Sequence, residues 1–148
     1  MRTVVQRVKN ASVKIENKIV GKINQGLLVL LAVHENDGQK DIDWLVNKVV
    51  SLRIFSDSEG KMNKSVQDVN GSILIVSQFT LYGDCTKGNR PSFIKSARPE
   101  KANDYYEKFI AQVKAMKVPV QTGKFQEHMA VSLINDGPTT IIIDSDNL

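Results

Sequence analysis

Residues 73–83 read ILIVSQFTLYG, a stretch that begins with the pattern of a buried strand and ends in polar groups that a core would not choose. Its first four residues are apolar and mostly β-branched, which is typical of a central strand covered on both faces. Ser77, Gln78 and Thr80 then follow around Phe79. Polar side chains at the end of a buried strand need hydrogen-bond partners, so the pattern predicts either bonds to the nearby backbone or a ligand site.

A second unusual stretch is residues 132–143, SLINDGPTTIII. Strand-forming residues flank Asn-Asp-Gly-Pro at 135–138, which is strong turn chemistry. The simplest interpretation is a tight hairpin between strands at 129–134 and 139–143. An X-Pro bond can also be cis, although trans is the default.

Together the two stretches resemble the motifs of the D-aminoacyl-tRNA deacylases. The resemblance rests on SQFT at 77–80 and NDGPTT at 135–140, two separated motifs in the right order and at the right distance. It covers essentially the whole chain, because further matching segments lie at residues 1–8, 26–33, 52–69 and 90–93.

The resemblance implies an editing hydrolase that cleaves the ester joining a D-amino acid, or glycine, to the terminal adenosine of tRNA. It implies that Ser77, Gln78, Phe79 and Thr80 line the catalytic pocket, with backbone N–H groups near Phe79 and Thr80 as the oxyanion hole. The adenosine 2′-hydroxyl would handle the proton, so the route is assisted by the substrate.

The resemblance also implies a homodimer in which the second motif filters chirality. The bond matching Gly137-Pro138 is cis in the family and reaches into the partner subunit's pocket, where an L side chain would collide with its carbonyls. Asn135, Arg7 and Met129 are implied as further residues for substrate binding and chiral selectivity, with Arg7 bracing the Gly-Pro motif.

Residues 83–98 form a polar loop that begins just after the strand carrying the 77–80 motif. A charged loop is often simply solvated, but cations beside the site would contact tRNA phosphates well. The residues expected to bind tRNA are Lys87, Arg90, Lys95 and Arg98.

Two alternatives stay open, a binding protein without catalysis and an unrelated threonine-dependent amidohydrolase. A dimeric nucleic-acid-binding protein without catalysis would keep the fold and the basic charge. A hydrolase with Thr80 as nucleophile would need an adjacent base, and residues 77–82 contain no His, Lys or acid.

No metal or cofactor is expected. His34, His128 and Cys85 lack the paired spacing of a zinc site. The sequence has no Gly-x-Ser-x-Gly, phosphate-loop or dinucleotide-binding motif.

Composition sets broader limits. The 148 residues are 41% apolar, which predicts a single domain over residues 1–148 with its own core. One cysteine excludes a disulfide within the chain. No apolar run has the length of a signal peptide or a membrane span, so we expect a cytoplasmic protein without membrane association. The net charge of +4 favours a polyanionic partner.

The periodicities predict an α/β or α+β fold that is rich in β-structure. We expect mixed or antiparallel sheets, strongly curved or packed in two layers, with two main helices on one side. The helices are predicted from about 39 to 52 and from 99 to about 117. Strands are predicted at 3–8, 11–15, 19–23, 27–33, 54–55, 61–63, 73–80, 120–123, 129–134 and 139–143, and an extended piece at 65–69.

Overall fold

A computed structural model describes residues 1–147, and these residues form eight strands and two α-helices. The strands are β1 (Arg2–Ile15), β2 (Lys18–Ile23), β3 (Gly26–Ala32), β4 (Phe55–Ser56), β5 (Met62–Lys64), β6 (Ser72–Ser77), β7 (Val120–Thr122) and β8 (Ala130–Asp144). The helices are α1 (Gln39–Ser51) and α2 (Pro99–Ala115), with short 3-10 helices at Phe79–Tyr82 and Ser145–Asn147.

The long strand β1 is the hub of the main sheet. Its first half pairs with β3, its second half with β2, and nearly its whole length with β8, all antiparallel. β3 pairs with β6, and β6 with β7, in parallel. β3 and β6 are nearly continuous apolar runs because side chains on both of their faces are buried. The prediction of a mixed sheet is confirmed.

Two cores lie on the two faces of this sheet. Alternate residues of β3, such as Leu27 and Val29, pack with the apolar faces of α1 and α2 in one core. Leu28 points the other way into the second core. The prediction that both helices lie on one side of the sheet is therefore confirmed.

The sheet is also strongly curved, as predicted. A Cβ atom added to Gly21 in β2 would lie 2.5 Å from the carbonyl oxygen of Thr122 in β7. The absence of a side chain at Gly21 thus lets β2 approach β7 closely, and the sheet is nearly closed.

The predicted hairpin at 135–138 is wrong. Residues on both sides of it continue antiparallel pairing with β1, as Ser132 does with Ser12 and Ile142 with Val4. Register shifts between Gln6 and Asn10 absorb the extra residues, so the motif is an irregularity within one long strand. The Gly137-Pro138 peptide bond is cis.

Three further boundaries differ from prediction. Segments 3–8 and 11–15 are one strand, because Asn10 stays in the ladder opposite Ile134. Residues 65–69 are a turn rather than extended, since the Asp68 carboxylate accepts bonds from the Ser65 amide and hydroxyl at 2.8 and 3.0 Å. β6 ends at Ser77, and a 3-10 turn follows.

The helices within residues 1–147 include none that is both long and apolar enough to cross a membrane.

Candidate active site

A pocket of about 810 Å³ opens at the carboxyl end of β6. Ser77, Gln78 and Phe79 form one wall, and the first turn of α2 contributes Pro99 and Ala102. The remaining lining residues are Val76, Phe93, Ser96, Ala97, Phe125, Gln126, Glu127, His128, Met129 and Val131. The largely apolar wall with a few polar groups is typical of a small-molecule site.

The 3-10 helix Phe79–Tyr82, here named the site turn, carries the polar groups beside this pocket. The backbone N–H of Gln78 donates to Leu31 O at 2.8 Å, and this is the last hydrogen bond of the sheet pairing. The next two amides, those of Phe79 and Thr80, have no acceptor within the described residues. The first N–H groups of a helical turn are free in this way, so they can donate to an oxyanion.

The side chain of Thr80 is exposed and bonded to a neighbour. Gln78 Nε2 donates to Thr80 Oγ1 at 2.5 Å. An amide nitrogen cannot accept a proton from the hydroxyl, so this partner is not a general base.

Aromatic side chains form the rim of the pocket. Phe79 and Phe93 make an edge-to-face pair with ring centroids 5.1 Å apart. Phe79 remains 52% exposed and the adjacent Ile94 is 85% exposed. Large apolar surface at the mouth of a pocket is available for contact with a ligand or a partner.

The Gly137-Pro138 motif is held by Arg7 and Asn135. Arg7 Nε donates to Asp136 O at 2.9 Å, and Arg7 Nη1 donates to Ile54 O. The Asn135 side-chain oxygen accepts from the Thr139 amide at 2.7 Å. Gly137 and Pro138 are themselves exposed. The motif is thus a supported, outward-facing feature of β8.

Gly137 occupies a conformation that favours glycine, with φ of +137°. A Cβ atom there would lie 2.6 Å from Thr139 Oγ1 and 2.9 Å from Arg7 Nη2. Both the backbone angle and the close neighbours select glycine at this position.

The structure does not bring the two motifs together within one chain. Ser77 lies level with Leu31 and Thr3, whereas Asn135 pairs with Val8, five residues further along β1. That offset is roughly 17 Å along the strand. Of the predicted selectivity residues, Met129 lines the pocket, while Arg7, Asn135, Gly137 and Pro138 do not.

The predicted tRNA-binding side chains are exposed on the loop between the site turn and α2. None of Lys87, Arg90, Lys95 and Arg98 forms an ion pair with another described residue. Arg98 directly precedes Pro99 of the pocket wall. In the same loop, bonds from the Thr86 hydroxyl and amide hold the pKa of Asp84 below its ordinary value.

Glu127 and His128 are among the pocket residues that sequence reasoning missed. They are the ionisable side chains of the pocket lining, and no periodic pattern marks them because the segment lies between strands. A left-handed residue, Gln126 with φ of +62°, turns the chain here. Within residues 1–147, no group of three or more His, Cys, Asp or Glu side chains is placed to hold a metal ion.

The chain is similar to known proteins over almost its full length. Residues 4–144 match the family described as D-Tyr-tRNA(Tyr) deacylase. A D-aminoacyl-tRNA deacylase of Thermosipho africanus is 57% identical over 145 residues, covering 98% of this chain and 97% of the relative. A D-aminoacyl-tRNA deacylase of Thermotoga petrophila is 53% identical over 148 residues, covering 100% of this chain and 99% of the relative.

Two solved structures are also similar. One, titled c-Myc DNA Unwinding Element Binding Protein, has a TM-score of 0.93 and 40% identity, covering 98% of this chain and 99% of that one. The other, titled as a probable eukaryotic D-amino acid tRNA deacylase, has a TM-score of 0.81. At 18% identity, with coverage of 96% and 97%, the second comparison shows the fold alone.

Proposed function

This chain belongs to the D-Tyr-tRNA(Tyr) deacylase family, and from that membership we propose how its residues carry out the reaction. The protein is an editing hydrolase that cleaves the ester of D-aminoacyl-tRNA to a free D-amino acid and tRNA. The observation that carries the proposed mechanism is the pair of free amides at Phe79 and Thr80. Phe79 lines the pocket, whereas Thr80, contrary to the prediction, is not among the lining residues and directly follows one.

In the proposed reaction, water attacks the ester carbonyl carbon. The negative charge that develops on the carbonyl oxygen is stabilised by the N–H groups of Phe79 and Thr80, each such donor being worth about 3 to 4 kcal/mol in comparable sites. The tetrahedral intermediate then breaks the bond to the adenosine 3′-oxygen. The adjacent 2′-hydroxyl takes the proton from water and passes one to the leaving oxygen, so the proton balance closes without a protein base.

Thr80 has a positioning role in this proposal. Its Oγ1 accepts a hydrogen bond from the side-chain amide of Gln78, and this bond fixes the Gln78 side chain at the pocket wall. A nucleophilic threonine would need a base within hydrogen-bond distance, and the described contacts of Thr80 Oγ1 provide none. This contact argues against the threonine-dependent hydrolase.

We propose that Gly137 and Pro138 reject L-amino acids in the pocket of a second subunit. Both residues are exposed and neither lines the pocket of its own chain, which supports a role outside that chain. Their carbonyls would face the α-carbon of the substrate and collide with an L side chain. A glycyl ester has no side chain and would escape this rejection.

The proposed homodimer uses the free edge of β8. Within the described residues, this 15-residue strand pairs on one side only, with β1. Ile134 and Ile142 on it are 52% and 70% exposed. A long edge with apolar side chains is normally covered by another chain.

The substrate tRNA would lie along the loop that carries Lys87, Arg90, Lys95 and Arg98. The same loop lines the pocket through Phe93, Ser96 and Ala97, so its cations could contact the last phosphates of the acceptor strand whose terminal adenosine the pocket receives. We place the protein in the cytoplasm because its substrate is made and used there.

A second candidate function is nucleic-acid binding without catalysis. It is favoured by the 40% identity to a structure titled as a DNA unwinding element binding protein. The same basic loop and pocket would serve such a protein, so only a measurement of activity separates the two functions.

The deciding experiment compares hydrolysis of D-tyrosyl-tRNA and L-tyrosyl-tRNA by the purified chain, with a chelator added to one half of each sample. Fast loss of the D ester with the L ester intact, with and without chelator, is the expected result. Binding of tRNA with loss of neither ester would instead favour the second function.

A further inference from the structure

Arg2, the first residue of β1, contacts the site turn without lining the pocket. Its Nη1 donates to Leu81 O at 3.0 Å, and its guanidinium carbon lies 4.8 Å from the centroid of the Tyr82 ring. Its Nε donates to Asp144 Oδ2 at 2.6 Å. One side chain therefore joins the start of β1, the end of β8 and the turn that carries the free amides.

Hydrogen bonds of its own backbone also hold the site turn. They include bonds from the Leu81 amide to Gln78 O at 3.2 Å and from the Gly83 amide to Thr80 O at 2.9 Å. The last carbonyls of a short helix lack partners inside the helix, and Arg2 provides one for Leu81.

Tyr82 depends on the same contact. Its ring is 3% exposed, but its hydroxyl has no hydrogen-bond partner within the described residues. The ring is held by packing, by the edge of His34 at 5.2 Å and by the Arg2 guanidinium. Arg2 thus contributes both a hydrogen bond and a cation–π contact to the turn.

Asp144 keeps Arg2 in place. Its other carboxylate oxygen accepts from the Asp146 amide at 2.9 Å. Partial burial alone would raise the pKa of Asp144, but the Asp146 amide and Arg2 hold it below its ordinary value, so the carboxylate is ionised at neutral pH. A planar guanidinium has several donors and can bond Asp144 and Leu81 O at the same time. The compact ammonium of a lysine is less suited to holding both acceptors.

We propose that Arg2 is a positioning residue for ester hydrolysis. It fixes the site turn so that the Phe79 and Thr80 amides remain aimed at the carbonyl oxygen of the substrate. This inference rests on the proposed oxyanion role of those amides. Arg2 itself does not line the pocket and does not touch the reacting atoms.

The test compares Arg2→Met with Arg53→Met in the full-length protein. Arg53 is exposed and bonds Asn63 in the β4–β5 hairpin, so its replacement removes the same charge away from the site. Hydrolysis of D-tyrosyl-tRNA gives kcat and KM. Binding of a non-hydrolysable amide analogue, 3′-(D-tyrosylamino)-adenosine, gives Kd and the number of competent sites per chain.

We expect Arg2→Met to lower kcat on the order of 10- to 100-fold, since misaligned donors lose stabilisation of the transition state. Analogue affinity should stay within about twofold of wild type, with the same number of sites. Arg53→Met should match wild type in every measurement. Arg2→Lys, which keeps the charge but not the fork of donors, should have an intermediate kcat.

Unchanged kcat in Arg2→Met would overturn the proposal. So would a loss of kcat that equals the loss of competent sites, because Arg2 would then only support folding. If Arg2→Met does not fold, a wild-type kcat in Arg2→Lys would overturn the proposal and a reduced kcat at full site occupancy would support it. Failure of the proposed function is distinguishable, since wild type would then hydrolyse no D ester.

Discussion

Thr80 is the residue at which two mechanisms make opposite predictions. Its hydroxyl accepts a hydrogen bond from the side-chain amide of Gln78 and has no basic partner among the described residues. Thr80→Ala should therefore retain activity within about tenfold of wild type, since it removes one side-chain hydrogen bond and leaves the backbone donors in place. The measurement is kcat/KM for D-tyrosyl-tRNA.

Thr86→Ala is the matched control, because Thr86 is an equally exposed threonine whose hydroxyl bonds Asp84 in the loop. A fall of three or more orders of magnitude in Thr80→Ala alone would return Thr80 to the role of nucleophile, as roughly that loss follows removal of a catalytic nucleophile.

Tyr106 is a single residue that joins α2 to β6. Its buried hydroxyl donates to Ile75 O at 3.0 Å, and burial raises the pKa of Tyr106 to about 12. Tyr106→Phe should lower the free energy of unfolding by about 0.5 to 1 kcal/mol at neutral pH. The loss is small because Ile75 O also accepts the Gly123 amide at 3.2 Å.

The raised pKa of Tyr106 also predicts a dependence on pH. The unfolded state ionises first, so this contribution to stability is complete below about pH 10 and is lost as pH rises through about 12. Urea unfolding should show that the free energy of unfolding falls less between pH 8 and pH 11 in Tyr106→Phe than in wild type. Tyr105→Phe on the same helix is the control, and an equal loss in Tyr106→Phe would contradict the assignment.

Among the elements, those with one strong periodicity could be predicted from sequence. The helix at 39–51 has apolar residues at helical spacing and was predicted within one residue of its end. The strand at 130–144 could not be predicted, because Asn-Asp-Gly-Pro favours a turn locally while pairing with β1 continues on both sides. Long-range pairing outweighed local turn preference there.

The loop between the site turn and α2 carries the electrostatic prediction. Arg90→Gln with Arg98→Gln should weaken tRNA binding and make the slope of log K against log salt less steep, by about 0.7 to 0.9 for each phosphate that the protein no longer neutralises. Binding isotherms at several salt concentrations measure this slope.

The control for that prediction is Lys114→Gln with Lys117→Gln. These residues lie at and just after the C-terminal end of α2, whereas the first turn of α2 lines the pocket. The two substitutions remove the same charge as the pair in the loop. An identical change in slope for both pairs would show that the loop has no special contact with tRNA.

At the scale of the whole molecule, the proposed site needs two chains. The mass in solution should be twice the 16.5 kDa of one chain, with β8 covered. Ile142→Lys places a charge on the exposed edge strand and should shift the protein toward monomer, since an interface does not tolerate an unpaired buried charge. Light scattering coupled to size-exclusion chromatography measures the mass.

Ile19→Lys is the control for the dimer, because Ile19 is 54% exposed but lies on β2 rather than on β8. A wild-type protein that is monomeric and fully active would contradict a site shared between subunits.

The candidate site was predictable only in part. The motif at 77–80 is marked by polar residues after a buried strand, and Ser77, Gln78 and Phe79 do line the pocket. Glu127 and His128 have no such local signal, since only the curved sheet brings their segment beside β6. The distance between the two motifs is likewise a property of the register of β1, which no short pattern encodes.

The rejection of L-amino acids by Gly137 and Pro138 can be measured in the variant Gly137→Ala. The added Cβ would meet Thr139 Oγ1 at 2.6 Å and Arg7 Nη2 at 2.9 Å, so the Gly-Pro wall must shift. Gly88→Ala is the control, because Gly88 also has a positive φ, +86°, but open space around it. The measurement is kcat/KM for D-tyrosyl-tRNA divided by kcat/KM for L-tyrosyl-tRNA. We expect this ratio to be about tenfold or more lower in Gly137→Ala than in wild type and Gly88→Ala. The same ratio in all three proteins would show that Gly137 and Pro138 do not reject L-amino acids.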